Sequence, residues 1–166
     1  MITLPNKNFT SDIPLSSILV VMTKAEMLSI CKKLDLYVSP NLKKEETARR
    51  LALEILDFPD FVLAQFCKAE LQVLDRLVKA GPNQYVVVKL RKTPYKLQKF
   101  GLVVTYVDYD KAEWHLLMPD SVRESLEKHY QVFLKRAEKG LKPPTPKELR
   151  FMDACGIPLM EDMIGV

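Results

Sequence analysis

Few residues of this 166-residue chain could do catalytic or metal chemistry. The two histidines, His115 and His129, have no carboxylate or cysteine at metal-ligand spacing around them, and the three cysteines form no Cys-x-x-Cys pair. Glycine-rich phosphate loops, Gly-x-Ser-x-Gly elbows and His-Glu-x-x-His motifs are absent from the sequence. Adjacent carboxylates such as Glu45 and Glu46 diverge by about 100° on a helix and cannot share a substrate. The sequence therefore predicts a protein that is not an enzyme and that holds no metal and no cofactor.

Basic side chains are the other residues that could bind a ligand, and the group with the stronger case lies in segment 84–107. This segment has no acidic residue, and its basic side chains alternate with tyrosines. Nucleic-acid-binding surfaces combine the same residue types, because cations contact phosphates while rings stack on bases. The alternative is that tyrosines pack a sheet and lysines protect its edge strand. The candidate binding residues are Lys89, Arg91, Lys92, Tyr95, Lys96 and Lys99.

A second basic group lies some forty residues earlier, on the outward side of a predicted helix. It comprises Lys43, Lys44, Arg49 and Arg50. Such charges bind phosphates because each contact releases condensed counterions. However, Glu45 and Glu46 follow the two lysines and reduce the local positive potential. A solvated helix face is therefore an equal alternative to nucleic-acid binding for this group.

Composition places the chain among globular proteins with a real core. Hydrophobic residues make up 48% of the sequence and charged residues 28%, with a formal net charge of only +4. Three cysteines at wide spacings indicate a reducing compartment, and Cys31 and Cys67 are predicted to be small buried side chains. The apolar run "SSILVVM" is too short for a signal peptide or a membrane span. We therefore expect a cytoplasmic protein without membrane contact.

Apolar residues spaced at i, i+3, i+4 and i+7 predict four long helices. The first two are "TKAEMLSICKKL", with a Thr23–Glu26 capping box, and a helix that ends near Asp57–Phe58. The third is "CKAELQVLDRLVKAG", and the fourth follows "MPDS", with a Ser121–Glu124 capping box and an apolar stripe from Val122 to Ala137. A short helix over "PDFVLAQF" and a final one, "PKELRFMDAC", complete the helical elements.

The middle of the chain has strand character instead. "QYVVVKL" and "LVVTYVDYDKAEWHLL" are rich in β-branched and aromatic residues, and the second reads as a hairpin with its tip at 109–111. A short helix from Pro94 to Phe100, closed by Gly101, is predicted between them. The sequence therefore predicts an α+β fold that is mainly α, with a small antiparallel β-sheet.

The stretch "MLSICKKLDLYVSPNLKKEETARRLA" has apolar spacing on its first helix, a short turn and a basic second helix. Over residues 22–56 it resembles the helix–extended loop–helix motif of the SAP family and the N-terminal module of Rho-type termination factors. This resemblance implies binding of DNA or RNA through the loop and the start of the second helix.

A second resemblance covers residues 67–130. "LQKFGLVVTYVDYDKAEWHLLMPDSVRESL" is similar to the short helix, strand, wing, strand and Pro-initiated helix of a winged-helix domain, as in bacterial transcription regulators and accessory regions of helicases. The resemblance implies that the helix in 94–100 faces a groove with the hairpin beside it. Because the interval from Gly81 to Phe100 has room for one helix and one strand, the expected winged helix is atypical.

These observations divide the chain into four parts. They are an extended arm (1–15), a SAP-like helical module (16–58), a winged-helix-like domain (59–139), and a linker with a short helix and an apolar tail (140–166). We expect a non-enzymatic nucleic-acid-binding protein, regulatory or accessory, whose partner is DNA or RNA. The alternative is a protein–protein interaction or dimerisation module, in which the tail from Gly156 docks a protein partner or a second copy of this chain.

Overall fold

The computed structural model describes residues 1–163, and within them the chain forms nine helices and three strands. In chain order these elements are α1 (Leu15–Leu19), α2 (Lys24–Lys33), α3 (Lys44–Asp57), α4 (Pro59–Leu63), α5 (Lys68–Ala80), β1 (Val86–Lys89), α6 (Lys96–Lys99), β2 (Val104–Asp108), β3 (Glu113–Leu117), α7 (Asp120–Glu127), α8 (Tyr130–Glu138) and α9 (Pro146–Cys155). The predicted α+β class, mainly α with a small antiparallel sheet, is confirmed.

The helices bury the apolar stripes that their spacing predicted. In α2 the stripe begins at Met27 and in α3 at Ala48, and every member of both stripes is buried. Thr23 caps α2 by accepting a hydrogen bond from the Glu26 amide, 3.1 Å long. Residues of both predicted modules pack into one hydrophobic core, so the first three helices and the sheet are parts of the same packed unit.

The sheet has the order β1–β3–β2, with both pairs antiparallel. The N-terminal arm lies along the outer edge of β2, where the Leu4 amide donates to the Thr105 carbonyl at 2.7 Å and the Thr105 amide donates to the Ile2 carbonyl at 3.0 Å. Val86, Val88, Trp114 and Leu116 on the inner face are buried against the helices. The arm is thus a structural part of the sheet edge.

The predicted fourth long helix is wrong in two respects. The chain forms two helices, α7 and α8, which are separated at Lys128–His129. The N-cap of α7 is Pro119, so Ser121 lies inside the helix and does not cap it. The Asp120 amide instead donates to the Ser11 carbonyl at 2.6 Å, because the arm reaches the start of α7 and takes the place of a local cap.

Two smaller expectations also differ from the structure. The helix α1 was not predicted, and its first residue, Leu15, belongs to the segment assigned to the extended arm. Cys31 is buried as expected, but Cys67 is exposed because it occupies the N-cap of α5, outside the packed turns of that helix. All three cysteines are free thiols.

The described part of the tail docks on the chain's own core. The Arg136 side chain is buried and donates hydrogen bonds to the carbonyls of Met160 and Met163, while Leu159 packs against the core. The last three residues of the predicted apolar tail lie outside the described residues. Within residues 1–163, none of the helices has the length and apolar character needed to cross a bilayer.

Candidate functional site

Six of the ten predicted binding residues lie between the end of β1 and the end of α6. This β1–α6 surface consists of Lys89, Arg91, Lys92, Tyr95, Lys96 and Lys99. Lys89 is the last residue of β1, Tyr95 is the N-cap of α6, and Lys99 is the last residue of that helix. These six residues thus follow one chain segment, from the end of the edge strand β1 through α6.

Two backbone contacts hold the loop between β1 and α6 in place. The Leu90 amide donates to the Ala112 carbonyl at 2.9 Å, which continues the β1–β3 ladder beyond Lys89 to the end of the hairpin. At the start of α6, the Tyr95 amide donates to Gln98 Oε1 at 2.9 Å, and Gln98 is buried. The loop is thus fixed beside the hairpin tip, and its basic side chains project from a defined position.

Lys96 has a structural role at this position. Its Nζ donates a 2.7 Å hydrogen bond to the Gln65 carbonyl, and its amide donates to the buried carboxylate of Glu70. Glu70 also accepts a hydrogen bond from the Cys67 amide at 3.0 Å, so one carboxylate caps both α5 and α6. Anions at helix N-termini are stabilised by the unpaired amides and the helix dipole. The lysine that completes this arrangement is not available to a ligand.

Tyr95 is half-buried, and its ring contacts both Arg91 and Trp114. The Arg91 guanidinium lies over its ring at 4.4 Å from the centroid. Its ring also makes an edge contact with Trp114, with centroids 6.0 Å apart and an angle of 67°. Tyr95 therefore positions Arg91 above the core and offers little surface for base stacking.

The remaining cations of the β1–α6 surface are Lys89, Arg91, Lys92 and Lys99, and all four are exposed. Within the described residues, none of the four forms an ion pair with a carboxylate. Tyr85 and Tyr106, in contrast, pack the outer face of the sheet beneath Lys7 of the arm, whose Nζ is 5.5 Å from each ring centroid. The sheet-packing alternative applies to these two tyrosines.

The α3 surface, formed by Lys43, Lys44, Arg49 and Arg50, is less available. Arg49 and Arg50 both contact the carboxylate of Glu46, at 2.9 Å and 3.3 Å. Arg49 also lines a surface groove of about 460 Å³ whose other residues include Asp12, Asp120 and Glu124. Lys43 and Lys44, at the start of α3, are exposed and form no ion pair within residues 1–163. Two of the four cations therefore share one carboxylate, which offsets part of their charge.

One group of residues that could hold a metal ion was not found by the sequence analysis, which predicted no metal site. Asp108, Glu113 and His115 each offer one ligand atom within 4.8 Å of the others; we call them the hairpin cluster. Glu113 and His115 are alternate residues of β3 and so project to one face, and Asp108 lies directly opposite Glu113 in the β2–β3 register. The Glu-x-His spacing was the available signal, but the partnership with Asp108 depends on strand register.

The hairpin tip adds one exposed aromatic side chain that was not among the predicted binding residues. Tyr109 is 82% exposed and follows Asp108 directly. The exposed Lys111 lies beside it, and its amide donates to Asp108 Oδ1 at 3.1 Å. The tip and the loop after β1 are held together by the Leu90–Ala112 hydrogen bond, so Tyr109 belongs to the same end of the sheet as Arg91.

Comparison with known proteins adds no family to this description. No protein-family model matches the chain, and no curated protein or solved structure matches it. The functional argument therefore depends on the geometry alone.

Proposed function

We propose that this protein binds nucleic acid through its phosphate backbone, using Lys89, Arg91, Lys92 and Lys99 of the β1–α6 surface. The observation that carries the proposal is that these four exposed cations lie on one short segment without a carboxylate partner among the described residues. Each phosphate contact from such a cation displaces a condensed counterion and so contributes to affinity. An enzymatic activity has no comparable support, and the chain is proposed to act without catalysis.

The geometry favours backbone contacts over the reading of bases in a groove. The helix α6 has only four residues, and two of them, Leu97 and Gln98, are buried. A helix that reads the major groove needs several side chains directed at base edges. The hairpin tip carries Asp108 and Asp110, which disfavour insertion of the tip between the two phosphate backbones of a groove. We therefore propose binding without sequence specificity, as an accessory or regulatory activity.

The preferred form of the ligand is proposed to be a single strand of DNA or RNA. The ring of Tyr109 is 82% exposed and lies at the same end of the sheet as Lys89 and Arg91. An exposed ring stacks on an unpaired base regardless of its identity, and cations beside it follow the phosphates. A duplex offers no unpaired base to this ring.

The two family resemblances remain proposals, and particular features support each. For the SAP-like module, these are the helix–loop–helix of α2 and α3 and the exposed Lys43 and Lys44 at the start of α3. For the winged-helix-like domain, these are the β2–β3 hairpin and the short α6 before it. We propose that Lys43 and Lys44 form a weaker second contact surface, and that the three free thiols reflect a cytoplasmic, reducing location.

Matched charge reversals test the proposal. The double variant Lys92→Glu/Lys99→Glu and the control Arg49→Glu/Arg50→Glu change the net charge equally, but only the first removes cations that lack an ion-pair partner. Fluorescence anisotropy with a mixed-sequence single strand is expected to show at least a tenfold loss of affinity for the first variant and a small loss for the control. Equal losses in both variants, or no binding by the wild type at low salt, would contradict the proposal.

A second function is favoured by one observation on the C-terminal segment. Phe151, Ile157 and Met160 are exposed apolar side chains although Arg136 holds the neighbouring backbone to the core. Exposed apolar side chains in one segment are typical of protein interfaces. If the chain is a dimerisation module, the variant Ile157→Ser/Met160→Ser is expected to convert a dimer to a monomer in size-exclusion chromatography with light scattering. A wild-type monomer at high concentration would exclude the homodimer.

A further inference from the structure

His115 is the least satisfied member of the hairpin cluster. It is only 8% exposed, and both of its ring nitrogens lack a hydrogen-bond partner within the described residues. Its Nε2 lies 3.2 Å from Glu113 Oε2, but the two groups are not aligned as a hydrogen bond. Buried polar atoms nearly always have a partner, so a buried imidazole beside carboxylates without one points to a ligand that these groups share. The rings of Tyr106 and His115 pack in a T-shaped contact, with centroids 5.8 Å apart and an angle of 78°.

We infer that Asp108, Glu113 and His115 form a binding site for a divalent transition-metal ion of the zinc class. One imidazole nitrogen and two carboxylate oxygens are ligands that Zn²⁺ accepts, whereas Mg²⁺ and Ca²⁺ take oxygen ligands almost alone. The 3.2 Å separation of His115 Nε2 and Glu113 Oε2 is close to that of two ligands on one tetrahedral ion. Bonds of about 2.0–2.1 Å place such ligands roughly 3.3 Å apart.

The cluster itself offers charge balance and solvent access to a bound ion. Two carboxylates balance the charge of a divalent cation, and both are partly exposed, so the ion can enter from solvent. Three protein ligands leave one position of a tetrahedral ion open to water. Two basic residues lie on the same face of the sheet: Lys89, opposite Glu113 in the β1–β3 register, and Lys7, whose Nζ is 5.5 Å from the Tyr106 ring centroid. Both cations oppose a metal ion.

This inference is independent of the proposed nucleic-acid binding, and its test uses no nucleic acid. Thiols are zinc ligands, and Cys67 and Cys155 are exposed, so the titration uses the full chain in a Cys67→Ser/Cys155→Ser background. Serine is also a favourable N-cap residue and suits the Cys67 position at the start of α5. After treatment with a chelator, isothermal titration calorimetry with Zn²⁺ is expected to show one ion per chain.

Isosteric variants identify the ligands. Glu113→Gln and Asp108→Asn each remove one anionic ligand from a partly exposed position, and each is expected to weaken Zn²⁺ binding at least roughly tenfold, the lower limit seen for changes around metal ligands. Asp110→Asn is the matched control, because Asp110 is exposed at the same hairpin but lies outside the cluster. It is expected to bind Zn²⁺ as the background protein does.

The variant Lys89→Ala is expected to change Zn²⁺ affinity and nucleic-acid affinity in opposite directions. Removing a cation next to Glu113 is expected to strengthen Zn²⁺ binding several-fold, whereas the proposed nucleic-acid binding would weaken. The inference is overturned if Zn²⁺ does not bind in a one-to-one ratio, if Glu113→Gln and Asp108→Asn bind it as tightly as Asp110→Asn, or if Mg²⁺ binds more tightly than Zn²⁺. Circular dichroism of each variant establishes that the comparison is between folded proteins.

Discussion

The guanidinium of Arg91 lies 4.4 Å from the centroid of the Tyr95 ring, and this pair sets the character of the β1–α6 surface. Tyr95 rests on Trp114 in the core, so the pair fixes a positive charge above the inner face of the sheet. Cation–π contacts reduce the freedom of a long side chain without neutralising its charge. Arg91 is therefore a positioned cation, and Tyr95 is its support.

Substitution of Tyr95 tests this role. Tyr95→Phe keeps the ring and is expected to bind a single strand within about twofold of the wild type, because the cation–π contact is retained. Tyr95→Ala removes the support, and at about 0.5–1 kcal/mol for an exposed contact the loss of affinity is roughly two- to five-fold. Anisotropy titrations of both variants measure the difference. If Tyr95→Phe lost as much affinity as Tyr95→Ala, the hydroxyl and not the ring would be the important group.

Lys96 and Lys99 are expected to differ although they belong to the same short helix. Lys96→Ala loses the hydrogen bond to the Gln65 carbonyl, and hydrogen bonds of charged groups contribute about 1.5–3 kcal/mol to stability. Lys99→Ala removes an exposed side chain and is expected to leave stability unchanged while affinity for nucleic acid falls. Urea denaturation and anisotropy on both variants measure the two quantities. A stable Lys96→Ala protein with reduced binding would reverse the assignment.

Glu70 is expected to be among the most sensitive polar positions of the fold. Its carboxylate accepts from the amides of Cys67 and Lys96 and is buried. Glu70→Ala removes both hydrogen bonds, and a hydrogen bond to a charged group contributes about 1.5–3 kcal/mol, less at the exposed Cys67, where water replaces the carboxylate. Glu70→Gln retains one acceptor oxygen, and its free energy of unfolding is expected to fall roughly half as much as that of Glu70→Ala. Chemical denaturation gives both free energies of unfolding, and equal stability of Glu70→Ala and the wild type would exclude the double-capping role.

Asp120 gives the fold a defined sensitivity to acid. A hydrogen bond from the Ser11 hydroxyl, 2.7 Å long, and then one from Arg123, also 2.7 Å, lower the pKa of Asp120 below its usual value. Because the pKa is lower in the folded state, the resulting stability is fully present above the usual aspartate pKa of about 4. It is lost as the pH falls toward the folded pKa.

The melting temperature of Asp120→Asn should therefore depend less on pH below about 4 than that of the wild type. Thermal unfolding followed by circular dichroism from neutral to acidic pH measures this difference. Parallel curves for the two proteins would show that other carboxylates determine the acid response. The neutral-pH stability of the variant is expected to be lower, since an amide replaces a carboxylate beside Arg123.

Local patterns in the sequence were sufficient to predict most helices and the hairpin. The apolar spacing from Met27 and from Ala48 depends only on the period of a helix, and the β-branched runs depend only on the period of a strand. The break between α7 and α8 was not predicted, since the apolar stripe continues through it to Tyr130 and Phe133. The true start of α7 depends on Ser11, which is distant in sequence, and no local pattern contains that contact.

In the candidate site, too, local features could be predicted from the sequence, whereas contacts between distant residues could not. Arg91 and Lys92 are exposed, as expected for a polar loop after a strand, whereas their role in binding nucleic acid stays a prediction. The structural role of Lys96 depends on its contacts with Gln65, in the loop before α5, and with Glu70, in α5, both distant from Lys96 in sequence. The hairpin cluster depends on the β2–β3 register, because a shift of one residue would move Asp108 to the other face.

The salt dependence of single-strand binding tests the central proposal most directly. Four phosphate contacts, from Lys89, Arg91, Lys92 and Lys99, predict a plot of log K against log salt concentration with a slope of about −2.8, at roughly −0.7 for each contact to a single strand. The variant Lys92→Glu/Lys99→Glu is expected to give a slope shallower by about half. Binding that does not change with salt, or a slope unaltered in the variant, would contradict the assignment of the β1–α6 surface as the nucleic-acid interface.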